Sequence, residues 1–95
     1  MLLLTNHIGY EANGPKQAIL LTKKERLSND IALLVCADNH TTVASYHLIQ
    51  HGRVAEWHQG YFYHLDFSIH TRPGRYYLKF DHVRSETFEI GTGVL

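Results

Sequence analysis

Histidine is the residue type that most strongly invites a chemical role in this chain of 95 residues. The sequence has eight histidines, which are His7, His40, His47, His51, His58, His64, His70 and His82. Metal ligands must converge on one point, and neighbours on one face of a β-strand are spaced at i and i+2. No His-x-His pair occurs. His47 and His51 have helical spacing, but Gly52 and the β pattern around them argue against a helix. We therefore predict surface histidines, and neither a metal ion nor another cofactor.

Acidic and hydroxyl side chains offer hydrolytic chemistry by residue type but not by arrangement. Two carboxylates facing each other across a cleft would support acid and base catalysis, yet most of the nine acidic residues fall in predicted turns or on solvent faces. Asp66, Ser68 and His70 are the residue types of a nucleophilic triad. No strained nucleophile turn or oxyanion loop accompanies them. We predict that this chain contains no catalytic residue.

Aromatic side chains support a second hypothesis, which is the stacking of sugar rings on an exposed platform. The candidates are Trp57, Tyr61, Tyr63 and Tyr77. Tyr61 and Tyr63 share a predicted strand face with core residues, so Trp57 and Tyr77 are the two expected to point outward. A carbohydrate-binding module stays open as an alternative.

Short strands must position these side chains. The segments Tyr61–Phe67 and Arg75–Asp81 alternate with period 2, which predicts half-buried antiparallel strands. In the second segment Tyr76, Leu78 and Phe80 are predicted to face inward, while Arg75, Tyr77, Lys79 and Asp81 face water. The chain then turns tightly, and Val83–Ile90 returns as the last strand. Upstream, Thr42–Ile49 is predicted to end at a break at His51-Gly52, with a further strand at Arg53–Trp57. With turn signals every eight to twelve residues, the pattern predicts an all-β sandwich of about seven to eight strands.

The segment Pro73-Gly74-x-Tyr76 predicts a tyrosine corner, in which the phenol hydroxyl bonds back to the backbone of the preceding loop. The alternative is an ordinary apolar strand tyrosine. Both give Tyr76 a structural role.

Size and charge narrow the possible functions. A chain of 11.0 kDa makes one domain. Nine Lys and Arg residues balance nine Asp and Glu residues, so neither nucleic acid nor a membrane is expected as a partner. The single cysteine excludes an internal disulfide. The apolar run at Met1–Leu4 is too short for a signal peptide, which predicts a cytoplasmic protein; a trimmed chain would allow a secreted one.

Five segments carry a family resemblance. Asn6–Tyr10 (NHIGY) and Asn13–Ala18 (NGPKQA) resemble the opening of the N-terminal immunoglobulin-like domain of family 9 glycoside hydrolases. Leu65–Ser68, Thr71–Tyr76 and Val83–Ile90 are similar to that domain's closing strands. The middle of the chain matches in general character only.

Two residues depart from the family pattern. His7 stands where the family usually has Gln, which should alter one side-chain hydrogen bond. His82 stands where Gly commonly follows the Asp of the last hairpin, so His82 is expected to adopt the tight-turn conformation.

The resemblance implies an immunoglobulin-like antiparallel sandwich over residues 1–91, with residues 92–95 starting a linker to a catalytic domain. In the family, catalysis belongs to a C-terminal α-helical barrel, so this chain alone is expected to be a non-catalytic accessory domain that packs against and stabilises that barrel. The parent enzyme would hydrolyse β-1,4-linked glucans or glucosamine oligosaccharides. A generic protein-interaction sandwich is the other alternative, and an orphaned docking face would favour a homodimer of the isolated domain. Any carbohydrate contact by the domain itself is expected to be weak.

Overall fold

The computed structural model describes residues 2–6, 8–23, 29–53 and 60–92, with the side chains of residues 51–53 excepted. This part of the chain is all-β, as predicted, and contains ten strands where seven to eight were expected. The strands are β1 (Leu2–Leu4), β2 (Tyr10–Glu11), β3 (Gln17–Thr22), β4 (Ile31–Cys36), β5 (Thr41–His47), β6 (Ile49–Arg53), β7 (Tyr61–Asp66), β8 (Gly74–Phe80), β9 (Val83–Arg84) and β10 (Phe88–Gly91).

The strands form two sheets that pack face to face as an immunoglobulin-like sandwich. The four-stranded sheet has the order β1-β3-β7-β6, and the six-stranded sheet has the order β2-β10-β8-β4-β5, with β9 paired to β8. Strands β10 and β2 are parallel, and the other described pairs are antiparallel. Between the sheets lies one hydrophobic core to which both inner faces contribute.

The predicted alternation of β7, β8 and β10 is confirmed. The core includes Phe67 just after β7 and the inward residues of the three strands, which are Tyr63, Leu65, Tyr76, Leu78, Phe80, Phe88 and Ile90. Tyr61 is partly buried against this core. Phe67 lies at the centre of an aromatic group, with its ring centroid 5.1 Å from that of Tyr10 and 5.7 Å from that of Phe88. Full burial of one such side chain contributes about 1.5–3 kcal/mol. The aromatic group therefore fastens β2 and β10 to the chain that leaves β7.

The predicted break at His51-Gly52 is wrong. Strand β6 continues through these residues, with a register irregularity between Gln50 and Gly52. The chain instead leaves the six-stranded sheet at Leu48, whose buried side chain enters the core and whose amide donates to the Asp30 carbonyl at 2.6 Å. One residue thus connects β5 with β6 in the opposite sheet. The remainder of the strand predicted at Arg53–Trp57 lies outside the described residues.

The predicted last strand is divided in two by Ser85. The Ser85 amide donates to the Leu78 carbonyl at 2.8 Å, and the Leu78 amide donates to Ser85 Oγ at 2.9 Å. The Ser85 hydroxyl in turn donates to the Glu86 carbonyl. Because a side-chain oxygen replaces a backbone acceptor, the ladder between β8 and β9 ends here. Strand β10 begins three residues later on the same edge of β8, the edge opposite β4.

The tight turn between β8 and β9 places its strain on Asp81, which has a φ of 54°. The expectation that His82 adopts this conformation is wrong, because the positive φ falls one residue earlier. Asp tolerates the left-handed region better than most residues because its short side chain can bond locally.

Candidate interaction surface

The first loop is closed by a buried lysine. Lys16 is 0% exposed, and its Nζ donates to the carbonyls of Ala12 at 2.7 Å, Gly14 at 2.9 Å and Ser68 at 3.1 Å. Burial lowers the pKa of Lys16, and the charge of Asp66 opposes that shift. An ammonium group has three hydrogens to donate, so each has an acceptor. The side chain joins the loop before β3 to the loop after β7, which is a structural role.

The second motif is a loop organised by Tyr10. The Tyr10 hydroxyl donates to the Gln17 carbonyl and accepts from the Asn6 amide, both at 2.8 Å. Asn6 Oδ1 accepts from the Ile8 amide at 3.0 Å, and the Asn6 carbonyl accepts from the Gly9 amide at 3.2 Å. These bonds fix a compact loop that presents Ile8 to solvent.

The predicted tyrosine corner is present. The Tyr76 hydroxyl donates to the Arg72 carbonyl at 3.0 Å, four residues upstream. Gly74 has a φ of 154°, and a Cβ at this position would lie 3.1 Å from the Tyr76 hydroxyl. Burial raises the pKa of Tyr76, the charge state of Cys36 raises it further, and Arg72 opposes both. The corner holds the β7–β8 loop and leaves the phenol neutral.

The residue types of a triad lie close together but are engaged in structural bonds. Hydrogen bonds from the Ser68 hydroxyl and then the Ser68 amide hold the pKa of Asp66 below its usual range, against a smaller opposing effect of burial. Ser68 Oγ accepts from the Lys16 amide at 2.8 Å. The His70 ring packs edge-on against Tyr76, with centroids 5.0 Å apart. Burial lowers the pKa of His70, as do the charges of Lys16 and Arg72. Asp66 and Ser68 therefore close a turn at the end of β7, and this arrangement does not activate the serine.

A cleft of about 370 Å³ lies beside the β7–β8 loop, and its lining includes His70, Arg72 and Asp38. Asp38 is the one described acidic residue in that lining. The opposed carboxylates that glycoside hydrolysis uses are therefore not assembled by the described residues of this cleft.

The sugar platform is not formed by the described tyrosines. Tyr63 faces the core, and Tyr61 is partly buried against it. Tyr77 lies on the outer face, as predicted, but the expectation that it faces water is wrong, since it is 7% exposed. The Arg84 guanidinium covers its ring at 3.7 Å from the centroid, and His40 Nδ1 lies 3.1 Å from its hydroxyl. Trp57 lies outside the described residues.

Within the described ranges, no three His, Cys, Asp or Glu side chains are grouped so that they could hold a metal ion. The same residues contain no helix long and apolar enough to cross a membrane.

The outer face of the four-stranded sheet carries apolar side chains on β1, β3, β7 and β6. Its members, here called the apolar face, are Leu2, Leu4, Ile19, Leu21, Ile49, Phe62 and His64. Strand register aligns them in two rows, Leu4-Ile19-His64-Ile49 and Leu2-Leu21-Phe62. Leu2 is 53% exposed and Ile49 is 56% exposed. A sheet face in water normally carries polar residues.

The outer face of the six-stranded sheet is mixed, with charged side chains beside the apolar residues Ile31, Leu33, Val35 and Tyr77. Its cross-strand pairs include Arg75 with Glu89 and Lys79 with Arg84. Ile31 at the start of β4 is the most exposed large apolar residue on strands β4 and β8. Of the exposed large apolar residues on the described strands, four lie on the four-stranded sheet, and two, Ile31 and Val43, lie on the six-stranded sheet.

One end of the sandwich, here called the exit end, is where β10 finishes. The Gly91 carbonyl accepts from the Ala12 amide at 2.9 Å, so β10 ends beside the loop that Lys16 closes. The β7–β8 loop reaches the same end and carries Ile69, which is 84% exposed. The row that contains Ile19 is the nearer of the two apolar rows to this end, since Ile19 is two residues after Gln17, the first residue of β3.

The comparison with known families decides the assignment. The family model of the cellulase N-terminal Ig-like domain matches residues 3–85, which include the motif segments around Tyr10, Lys16 and Tyr76. This chain belongs to that family. The name of the family places such a domain at the N-terminus of a cellulase. No curated protein sequence is significantly similar to this chain.

Solved structures similar to this Ig-like domain include glycoside hydrolase family 9 proteins. A metagenome-derived glycoside hydrolase family 9 endoglucanase is 28% identical with a TM-score of 0.75, and the match covers 94% of this chain and 18% of that chain. A GH9 protein of Bacteroides ovatus is 26% identical with a TM-score of 0.77, covering 97% of this chain and 16% of that chain. A thermostable endoglucanase of Alicyclobacillus acidocaldarius, at 18% identity and a TM-score of 0.76, shares the fold. This chain thus spans less than a fifth of the length of these proteins.

Proposed function

We propose that this Ig-like domain is the non-catalytic N-terminal accessory domain of a family 9 glycoside hydrolase. It packs against and stabilises a C-terminal catalytic domain that hydrolyses β-1,4-linked glucans or glucosamine oligosaccharides. Its role is to raise the stability of the enzyme, and it contributes no group to bond cleavage.

The observation that carries the proposal is the share of each chain in the structural matches. A family 9 endoglucanase matches 94% of this chain with only 18% of its own, so most of that enzyme lies outside the Ig-like domain. The polar groups of this chain support the same view. The hydrogen bonds of Lys16, Ser68 and Tyr76 go mainly to loop backbone, which is how a structural domain uses polar residues.

The test compares the full-length enzyme with a form that lacks residues 1–91. We expect the shortened enzyme to unfold at a lower temperature and to lose activity on soluble β-1,4-glucan at temperatures that the full-length enzyme survives. Equal melting temperatures and equal thermal inactivation rates would contradict the proposal.

The 95-residue chain by itself provides the second measurement. We expect no release of reducing sugar from cellohexaose or from glucosamine oligomers, and no saturable change in fluorescence during titration with either. Trp57 is the one tryptophan in the sequence, so its emission reports on the sugar platform directly. Hydrolysis, or a saturable shift that a Trp57→Phe variant abolishes, would favour an enzyme or a carbohydrate-binding module instead.

A further inference from the structure

We infer that the apolar face of the four-stranded sheet is the surface that the catalytic domain covers. This inference rests on the proposed function and adds which side of the sandwich contacts the catalytic domain.

The first support is the composition of the face. Its outward positions form two adjacent cross-strand rows, and in six of the seven positions the side chain is aliphatic or aromatic. One row across four strands and one across three make an apolar surface interrupted by His64, whereas single exposed apolar residues are ordinary on any protein. Apolar patches of this kind mark interaction sites.

The second support is the border of the face. Gln17 pairs with Asp66 in the next row toward the exit end, and both side chains are exposed. An apolar centre with a polar border is the usual composition of a protein interface. The exposed pair Arg75 and Glu89 on the six-stranded sheet shows that this sequence does place charged residues on a sheet face that meets water.

The occupant follows from the position of the exit end. The family's name places such a domain at the N-terminus of a cellulase, so in the proposed enzyme the chain continues from β10. Strand β10 ends at Gly91 beside the Lys16 loop, which leads directly into β3 and Ile19. A domain tethered there has an effective concentration near the millimolar range with a short linker. A second copy of the chain lacks that advantage, so the tethered catalytic domain is the better partner.

The test is side-chain footprinting of the full-length enzyme by a carbene reagent with mass-spectrometric readout. Ile19 and Ile31 are a matched pair, since both lie on outer sheet faces and are 39% and 37% exposed. We expect several-fold lower labelling of Ile19 than of Ile31 in the full-length enzyme, and similar labelling of the two in the 95-residue chain. Leu2 and Ile49 should follow Ile19, and Val43 on β5 should follow Ile31.

Matched variants of the full-length enzyme give an independent readout. Ile19→Asp should lower the melting temperature of the catalytic domain and raise labelling at Ile49, because a buried carboxylate without a partner weakens an interface. Ile31→Asp should change neither quantity.

The outcomes separate this inference from the proposed function. Equal labelling of Ile19 and Ile31 in the full-length enzyme would overturn the assignment of the face. If removal of residues 1–91 still destabilised the enzyme, the accessory role would stand with another surface. Ile19 could instead be protected only at high protein concentration, with a dimer in light scattering. That result would assign the apolar face to a second copy of the chain and would also overturn the inference.

Discussion

Replacing the buried Lys16 by Met tests whether three carbonyl bonds stabilise the exit end. Met has a similar length and no charge, so the change removes the three donors and keeps most of the packing. The bond to the Ala12 carbonyl is buried, while those to Gly14 and Ser68 are partly buried. A buried carbonyl without a partner costs about 1–3 kcal/mol, and the two partly buried carbonyls can regain water at a smaller cost.

Burial of the ammonium offsets part of this loss, because desolvation of a charge is unfavourable and the lowered pKa of Lys16 reflects it. We therefore expect Lys16→Met to lower the free energy of unfolding by roughly 2–4 kcal/mol. A domain of this size has a total stability of about 5–15 kcal/mol, so the effect is large.

Urea unfolding of the 95-residue chain at pH 7, followed by circular dichroism, measures this loss. With a slope of about 2 kcal/mol per molar urea, the midpoint should move down by about 1–2 M. Lys79→Met is the matched control, since Lys79 is exposed on the six-stranded sheet, and its effect should stay within about 0.5 kcal/mol. Equal effects of the two substitutions would refute the reasoning.

Three further predictions concern the two turns at the ends of β8 and the histidine His70. Gly74→Ala should destabilise the domain by about 1–3 kcal/mol in the same urea assay. The φ of Gly74 is 154°, and the new Cβ would lie 3.1 Å from the Tyr76 hydroxyl. An unchanged urea midpoint would contradict the close packing of the tyrosine corner. Asp81→Gly should leave the stability unchanged or raise it by up to about 1 kcal/mol, because the positive φ lies at Asp81. His82→Gly should lower the stability by about 0.5–1 kcal/mol. The reverse order of the two effects would show that the strain lies elsewhere. Burial lowers the pKa of His70 in the folded domain below its value in the unfolded chain, which is about 6.5. As the pH falls, the unfolded chain therefore binds a proton at His70 before the folded domain does. The free energy of unfolding should then decrease as the pH drops below about 6.5. His70→Phe should reduce that fall between pH 7 and 5, and His82→Gln, at a side chain 95% exposed, should not; identical pH profiles for all three proteins would refute the assignment.

The sequence could predict the features that follow from local rules. Side-chain alternation is a property of the strand itself, so the inward set Tyr76, Leu78 and Phe80 is correct. The tyrosine corner depends on a spacing of four residues between Arg72 and Tyr76, which one short motif contains. The resemblance to the cellulase N-terminal Ig-like family rests on such motifs, and the family match confirms it.

Features that depend on distant residues could not be predicted in this way. Burial of Lys16 requires Ser68, which is 52 residues away in sequence; the only local signal is the Asn13-Gly14-Pro15 turn before it. Tyr77 is covered because Arg84 reaches across from β9 and His40 from a remote turn. Those contacts depend on the pairing of strands.

The apolar face could not be predicted from the sequence for a related reason. A short apolar run such as the one in β3 predicts a buried strand, and sequence pattern does not distinguish a face buried by the same domain from one left open. Ile19 and Leu20 are neighbours in sequence, yet Leu20 lies in the core and Ile19 lies on the apolar face. Only the register of β1, β3, β7 and β6 shows that the outward residues form one surface.

The position of β10 between two strands has a mechanical consequence. It pairs in parallel with β2, through Ile90 and Tyr10, and in antiparallel with β8, through Phe88 and Tyr76. A pull on the chain beyond Gly91 acts along the strand axis, so the hydrogen bonds on both sides of β10 are loaded in shear and must break together. In the proposed enzyme, force from a C-terminal domain would therefore enter the sandwich at a strand that is held on both sides.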